Sequence, residues 1–194
     1  MSNLIANQIR KREVPNDVIY TPLPVAELMI SLCDIHPQEK VLDPSRGAGV
    51  FYNNLPECEK DWCEITDDKD FFEYTDKADW IIGNPPFSLW TKWMAKTFEI
   101  TDKFCYIMGN MNLTALRIQR IHDAGFGITK IHFLKIAWWF GDSIVIVCEK
   151  NKPSIVGSSG KDFLCDICGL RCKRGKKTKD KKYGKNECSN INII

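Results

Sequence analysis

The stretch Asn84-Pro85-Pro86-Phe87 combines residue types that can activate an aromatic amino group. The lone pair of such an amine, as on adenine, is delocalised into the ring, so the nitrogen is a poor nucleophile. The side-chain oxygen of Asn84 and the carbonyl of Pro85 can each accept a hydrogen bond from the amine, which favours a tetrahedral nitrogen with a localised lone pair. Pro85 and Pro86 stiffen the turn, and Phe87 can stack on the base.

A second candidate site lies upstream, in residues 41–51. The sequence Val-Leu-Asp at 41–43 predicts a strand, and a loop containing Gly47 and Gly49 follows it before a predicted helix. Glycines let a backbone turn tightly and approach a ligand closely, and the free N–H groups at a helix start favour polar ligands. A lone Gly-x-Gly is also typical of an ordinary strand-to-helix turn.

The order of these two segments resembles that of amino-group methyltransferases that use S-adenosylmethionine, above all the N6-adenine DNA methyltransferases. The stretch Asn84-Pro85-Pro86-Phe87 is similar to the catalytic motif of that family. The resemblance implies that all four residues are catalytic.

The glycine segment is similar to the first cofactor motif of the same family, in which an Asp-Pro pair precedes Gly-x-Gly. The resemblance implies that this segment binds the methionine part of S-adenosylmethionine, with Asp43 near its amino group. The implied cofactor residues are Asp43, Pro44, Gly47 and Gly49. Ser45 and Arg46 stand where many relatives carry a different pair.

Two further cofactor contacts follow the glycine segment. An acidic residue at the end of the second strand of a doubly wound sheet can hold ribose hydroxyls, and Glu64 has that place in the predicted strand 61–65. Its alternative is an exposed surface carboxylate. Asp70 and Phe71 resemble the family's third motif, which implies contacts with the adenine amino group and ring. Asp67 and Asp68 compete with Asp70 for that assignment.

The segment Tyr20-Thr21-Pro22 precedes a predicted amphipathic helix. The segment resembles the N-terminal cofactor motif of DNA adenine methyltransferases whose cofactor motif comes first, which implies that Tyr20 and Thr21 cover the methionine end of S-adenosylmethionine. This opening favours DNA as the substrate. The alternatives are RNA or protein-glutamine methylation, and a non-catalytic nucleic-acid-binding protein with the same fold.

Strand and helix patterns alternate along residues 1–150, which predicts an α/β fold with a doubly wound, mostly parallel sheet. The resemblance implies the Rossmann-like class I methyltransferase fold. The last two strands are close in sequence, so we expect them to pair antiparallel. The predicted strands are 40–43, 61–65, 79–83, 104–108, 129–134 and 143–149; the predicted helices are 22–34, 48–55, 88–98 and 112–124.

Composition indicates a soluble, intracellular chain. The 194 residues are 44% hydrophobic and 27% charged, and no run approaches the roughly 20 apolar residues of a membrane helix. No signal-peptide pattern opens the chain, so we expect a cytoplasmic location and no membrane partner. The scattered Cys33, Cys58, Cys63, Cys105 and Cys148 are expected to fill the core.

The Pro/Gly/Ser-rich residues 151–160 predict a linker between a methyltransferase domain, 1–150, and a Cys-rich basic tail, 161–194. Residues 171–188 carry nine Lys or Arg against Asp180 and Glu187. Such a segment favours salt-dependent binding to phosphates, although a run of lysines is also typical of solvated chain.

Four cysteines in the tail have partial zinc-site spacing. The Cys165–Cys168 pair is typical of half a zinc site, and the other two cysteines are isolated. The predicted Zn²⁺ ligands are Cys165, Cys168, Cys172 and Cys188. The alternative is a disordered tail with free thiols.

Two features bear on target recognition. The aromatic residues 136–142, with Trp90 and Trp93, are expected either to stack on an extruded base or to cover the sheet. Family members with this motif order usually carry a large C-terminal recognition domain, whereas only about 35 residues follow the linker here. We expect weak sequence specificity, a recognition role for the tail, or a protein partner that supplies specificity.

Overall fold

The computed structural model describes residues 19–136, 139 and 141–158. The three helices of this region are α1, Leu23–Ser31; α2, Trp90–Ile100; and α3, Ala115–Asp123. Its six strands are β1, Lys40–Asp43; β2, Glu59–Trp62; β3, Ala78–Gly83; β4, Thr101–Gly109; β5, Phe126–Leu134; and β6, Ser143–Lys150.

The strands form one sheet in the order β2-β1-β3-β4-β6-β5. The pairs β1–β2, β1–β3 and β3–β4 are parallel, and β6 runs antiparallel between β4 and β5. The predicted mostly parallel sheet and the antiparallel pairing of the last two strands are confirmed. The carboxyl ends of β1, β2 and β3 consequently lie at one edge, where open α/β sheets bind ligands.

Alternate residues of the central strands face two apolar layers. Ile81 and Phe104 pack with α2 and α3, whereas Ile82 and Cys105 pack with α1 on the other face. All four side chains are completely buried. Because β1, β3 and β4 are covered on both faces, they are nearly continuous apolar runs rather than alternating ones.

The segment after β1 differs from the prediction. The expected helix at 48–55 is wrong: this segment is a series of turns ending in a short 3₁₀ helix, Tyr52–Asn54. Gly47 and Gly49 both have positive φ, +50° and +81°, and such residues do not continue a right-handed helix. The glycine loop therefore continues as turns where the sequence pattern indicated a helix.

Four of the five scattered cysteines are buried as predicted, and Cys58 is half-buried. Within the part of the chain that the structure describes, no helix combines the length and apolarity needed to cross a bilayer.

Candidate active site

A cavity of about 560 Å³ opens at the carboxyl ends of β1, β2 and β3. Its walls come from four chain segments: 19–21 ahead of α1, 44–51 after β1, 64–72 after β2, and the turn from Asn84 to Trp93 after β3. The predicted cofactor and catalytic residues that line it are Tyr20, Thr21, Pro44, Gly47, Glu64, Asp70, Phe71, Asn84 and Pro86. Segments far apart in sequence thus share one chamber.

Asp43, at the end of β1, lies beneath the glycine loop rather than on the cavity wall. Only 1% of its surface is exposed. Its two carboxylate oxygens accept hydrogen bonds from the backbone N–H groups of Ser45 and Tyr52, each at 3.3 Å. Asp43 therefore fixes both ends of the loop, a role that differs from the direct cofactor contact implied by the resemblance.

Burial raises the pKa of the Asp43 carboxyl to about 7, against the opposing effect of the hydrogen bonds from Ser45 and Tyr52. Folding therefore favours the protonated form. The resulting stabilisation is complete below the unfolded pKa of 3.8 and is lost as the pH rises through about 7.

We expect Asp43→Asn to flatten this pH dependence. Since one pKa unit corresponds to about 1.4 kcal/mol, the wild-type free energy of unfolding should fall between pH 4 and pH 7 by a few kcal/mol more than that of the variant. Urea unfolding of both proteins across this range measures the difference. Parallel pH profiles would show that Asp43 does not titrate in the folded protein as inferred.

Gly47 lies against the ring of Tyr20. A Cβ atom placed on Gly47 would lie 3.3 Å from that ring, and one placed on Gly49 would lie 2.9 Å from the Asn53 amide nitrogen. A side chain at Gly49 would thus clash with Asn53, and one at Gly47 would press on the Tyr20 ring. Gly47 borders the cavity, whereas Gly49 shapes the turn behind it.

Glu64 lies two residues beyond β2 and binds the glycine loop. Its Oε2 accepts a hydrogen bond from the Gly47 N–H at 2.7 Å, and its Oε1 accepts from the Thr66 N–H and hydroxyl at 3.3 and 3.1 Å. Burial alone raises the pKa of Glu64, but these donors outweigh it and hold the pKa below its usual value. The cavity therefore has a charged carboxylate at the predicted ribose position.

An apolar slot adjoins Glu64. Phe71 is buried, with its ring centroid 4.4 Å from that of Trp93, and Ile65 on the cavity wall is 71% exposed. Asp70 also borders this slot, and its Oδ1 accepts a hydrogen bond from the Phe72 N–H at 2.9 Å. Flat apolar walls beside a carboxylate suit a purine carrying an amino group.

The segment before α1 contacts both the glycine loop and residues 84–87, which we call the predicted catalytic turn. Its backbone carbonyl at Ile19 accepts a hydrogen bond from Asn84 Nδ2 at 3.0 Å, and Tyr20 covers Gly47. Sequence reasoning missed Ile19, since nothing in a local pattern signals a contact between residues 65 positions apart.

The predicted catalytic turn places Asn84 on the cavity wall. With Nδ2 donated to Ile19, the amide oxygen Oδ1 receives no hydrogen bond from the described residues and is the atom left to accept one. Pro86 also lines the cavity, whereas Pro85 is buried. Phe87 is half-buried against the apolar layer of α2, and its stacking on a base stays a prediction.

The tryptophans after the turn belong to the core. Trp90 and Trp93 are buried, and the Trp93 indole N–H donates to the Tyr106 hydroxyl at 3.3 Å. Of the aromatic loop, Trp139 packs against the α1 layer, while residues 137, 138 and 140 lie outside the described residues. All three tryptophans pack against the core, and Trp93 also lines the cavity; stacking on an extruded base stays a prediction.

The predicted zinc ligands, Cys165, Cys168, Cys172 and Cys188, lie outside the described residues, as does the basic segment 171–188. Between residues 19 and 158, no described set of three or more His, Cys, Asp or Glu side chains is arranged to hold a metal ion.

No protein-family model and no curated protein sequence matches this chain. Solved structures do match it. A candidate RNA methyltransferase from Pyrococcus horikoshii is 20% identical with a TM-score of 0.54, and the match covers 67% of this chain and 86% of that one. A magnesium protoporphyrin IX methyltransferase from Synechocystis, solved with bound S-adenosylmethionine, is 11% identical with a TM-score of 0.53, covering 77% of this chain and 96% of that one.

A modification subunit of a candidate type I restriction enzyme from Vibrio vulnificus is 14% identical with a TM-score of 0.53. That match covers 78% of this chain but only 48% of the subunit, so this chain spans about half its length. At these identities the likeness concerns the fold. The chain has the mixed α/β, Rossmann-like fold of class I methyltransferases.

Proposed function

We propose that this protein is a methyltransferase that transfers a methyl group from S-adenosylmethionine to the N6 amine of adenine in DNA. One observation carries the proposal: Asn84 and the glycine loop border the same cavity at the carboxyl edge of the sheet. A cofactor in this cavity and an amine at Asn84 would share one chamber, as an in-line transfer between them requires.

The cavity residues fit S-adenosylmethionine in chemistry. Gly47, free of a side chain, leaves room for the methionine part beside Tyr20 and Thr21. Glu64 offers a charged acceptor for ribose hydroxyls, and the slot at Ile65 and Phe71 offers apolar walls for adenine. When bound, S-adenosylmethionine supplies an electrophilic methyl group on a sulfonium.

The catalytic turn would prepare the amine. Asn84 Oδ1 would accept one hydrogen bond from the amine, and the bond from Nδ2 to Ile19 holds the amide with this oxygen free. The Pro85 carbonyl is the proposed second acceptor; Pro85 itself is buried and does not line the cavity, so the amine would have to reach this oxygen past Asn84 and Pro86. Two such bonds would localise the nitrogen lone pair. The amine would then attack the methyl carbon in line as the carbon–sulfur bond breaks, and S-adenosylhomocysteine would leave as the neutral thioether. The methylated nitrogen is positively charged and acidic, so its proton passes to water and no strong general base is required.

DNA is preferred as the substrate because Tyr20 and Thr21, which the resemblance to DNA adenine methyltransferases assigns to the cofactor site, line the cavity. An adenine in a duplex must be extruded to reach this chamber, at a cost of a few kcal/mol. RNA and protein glutamine present the same kind of amide or amine nitrogen and are the alternatives to test.

Incorporation of tritiated methyl groups from S-adenosylmethionine into duplex DNA, single-stranded DNA, structured RNA and a protein extract tests the proposal. We expect labelling of DNA, with N6-methyladenine as the digestion product. Preferential labelling of RNA or of protein would contradict the choice of DNA and would identify the labelled molecule as the substrate. No labelling of any substrate, with no heat of S-adenosylmethionine binding in calorimetry, would favour the non-catalytic protein.

A further inference from the structure

Helices α2 and α3 enclose a second cavity, of about 370 Å³, beside the candidate active site. The side chains that form its floor are mostly apolar, among them Trp90, Met94 and Ile121. Arg117 and Arg120, one turn apart on α3, also line it. We call this cavity the α2–α3 groove.

The two arginines are held against the first turn of α2. Arg120 Nη1 donates a hydrogen bond to the Thr91 hydroxyl at 3.2 Å. The Arg117 guanidinium lies 5.0 Å from the centroid of the Trp90 ring and donates to the carbonyl and side-chain oxygens of Asn112 at 2.8 and 3.2 Å. Both guanidinium groups therefore contact residues that lie three or four positions after Phe87, the last residue of the predicted catalytic turn.

Neither arginine forms a salt bridge with a described carboxylate. Asp123 is the one acidic residue lining the groove, and its Oδ1 accepts a hydrogen bond from Gln119 at 2.8 Å instead. Burial and the nearby positive charge of Arg120 lower the pKa of Arg117, as expected where two like charges share a site. The groove thus offers two positioned cations to an anion.

The opposite flank of the active site repels anions. Residues 55–79, which include β2 and border the predicted ribose and adenine positions, carry ten Asp or Glu against three Lys. A polyanion that reaches Asn84 would therefore avoid the β2 side and approach over α2 and α3.

We propose that Arg117 and Arg120 bind a phosphate of the substrate strand next to the target adenine, with the apolar groove floor under the attached sugar or base. This inference rests on the proposed function, since it takes the substrate to be a nucleic acid. Continuity with the active site supports it: the first turn of α2 places Trp90 in the groove, and Trp93, one turn later, in the cofactor cavity. Phosphate contacts of this kind position a strand without reading its sequence.

Binding of a fluorescent, adenine-containing single-stranded oligodeoxynucleotide to the full chain tests the inference. Arg120→Gln should weaken affinity about tenfold and reduce the slope of log affinity against log salt by about one. Arg120→Lys, which keeps the charge, should retain most of the affinity. Lys152→Gln removes the same charge from an exposed position at the far end of β6 and should have little effect.

Equal weakening by Arg120→Gln and Lys152→Gln would overturn the inference, since the effect would then be one of net charge. An Arg120→Gln variant that binds the oligonucleotide normally but loses binding to poly-glutamate would overturn it in favour of an acidic peptide. These readouts need no turnover. Absence of methylation by the wild type would therefore count against the proposed function, while an Arg120-dependent phosphate contact would still stand.

Discussion

Replacing Asn84 with alanine is expected to lower the turnover number by about 10²-fold or more, the loss typical of removing one preorganised polar group from a reaction centre. The reason is that the hydrogen bond from the amine to Oδ1 forms fully only as the nitrogen becomes tetrahedral, so its loss slows the reaction. Affinity for S-adenosylmethionine should stay nearly unchanged, because the hydrogen bond that joins Asn84 to the glycine segment, from the Ser45 hydroxyl at 3.4 Å, is accepted by the Asn84 backbone carbonyl, which alanine keeps. Single-turnover methyl transfer and calorimetry measure the two effects separately.

Asn84→Asp serves as the matched variant, since it keeps an acceptor oxygen but loses the Nδ2 donor to Ile19. We expect it to retain more activity than alanine but less than the wild type. Normal turnover by the alanine variant would show that another group activates the amine. A large loss of S-adenosylmethionine affinity in the alanine variant would assign Asn84 to holding the 19–21 segment instead.

Replacing Glu64 with alanine should give the converse result: a dissociation constant for S-adenosylmethionine about 10²-fold higher, with turnover at saturating cofactor close to that of the wild type. The loss follows from the hydrogen bonds of the carboxylate to Gly47 and to the predicted ribose hydroxyls, because a hydrogen bond to a charged group contributes about 1.5–3 kcal/mol. Calorimetry with S-adenosylmethionine and S-adenosylhomocysteine provides the measurement, and the affinity for both ligands should fall by the same factor.

Asp68→Asn is the charge control for Glu64. Asp68 is exposed, does not line the cavity and has φ of +56°, a conformation that asparagine tolerates. The affinity of the Asp68→Asn variant for either ligand should equal that of the wild type. If Asp68→Asn weakened binding as much as Glu64→Ala, general electrostatics rather than the Glu64 contacts would explain the loss.

The parallel core of the fold could be predicted from sequence because its signals are local. The buried runs ending at Asp43 and Gly83 each fill a strand that is covered on both faces, so their apolar residues mark it directly. The helix expected after the glycine loop is absent for an equally local reason, because Gly47 and Gly49 have positive φ and the chain forms turns there. The sequence pattern predicted the residue at which the loop starts but not the conformation of the loop.

The sequence indicated which residues lie near one cavity better than it indicated their contacts, and their roles stay predictions. Nine of the predicted residues share one cavity, yet the partner of each depends on contacts between distant segments. Asp43 binds the backbone of its own loop instead of facing the cavity, and Phe87 packs toward α2. The bond from Asn84 to Ile19 had no signal at all, because a backbone carbonyl acceptor can belong to any residue.

A crystal structure of the protein with S-adenosylhomocysteine would test most directly whether the glycine loop and Asn84 serve one reaction. We predict adenine in the slot between Ile65 and Phe71, ribose hydroxyls on Glu64, and the sulfur turned toward Asn84. A ligand in another cavity, or a sulfur turned away from the Asn84 amide, would contradict the proposed chemistry.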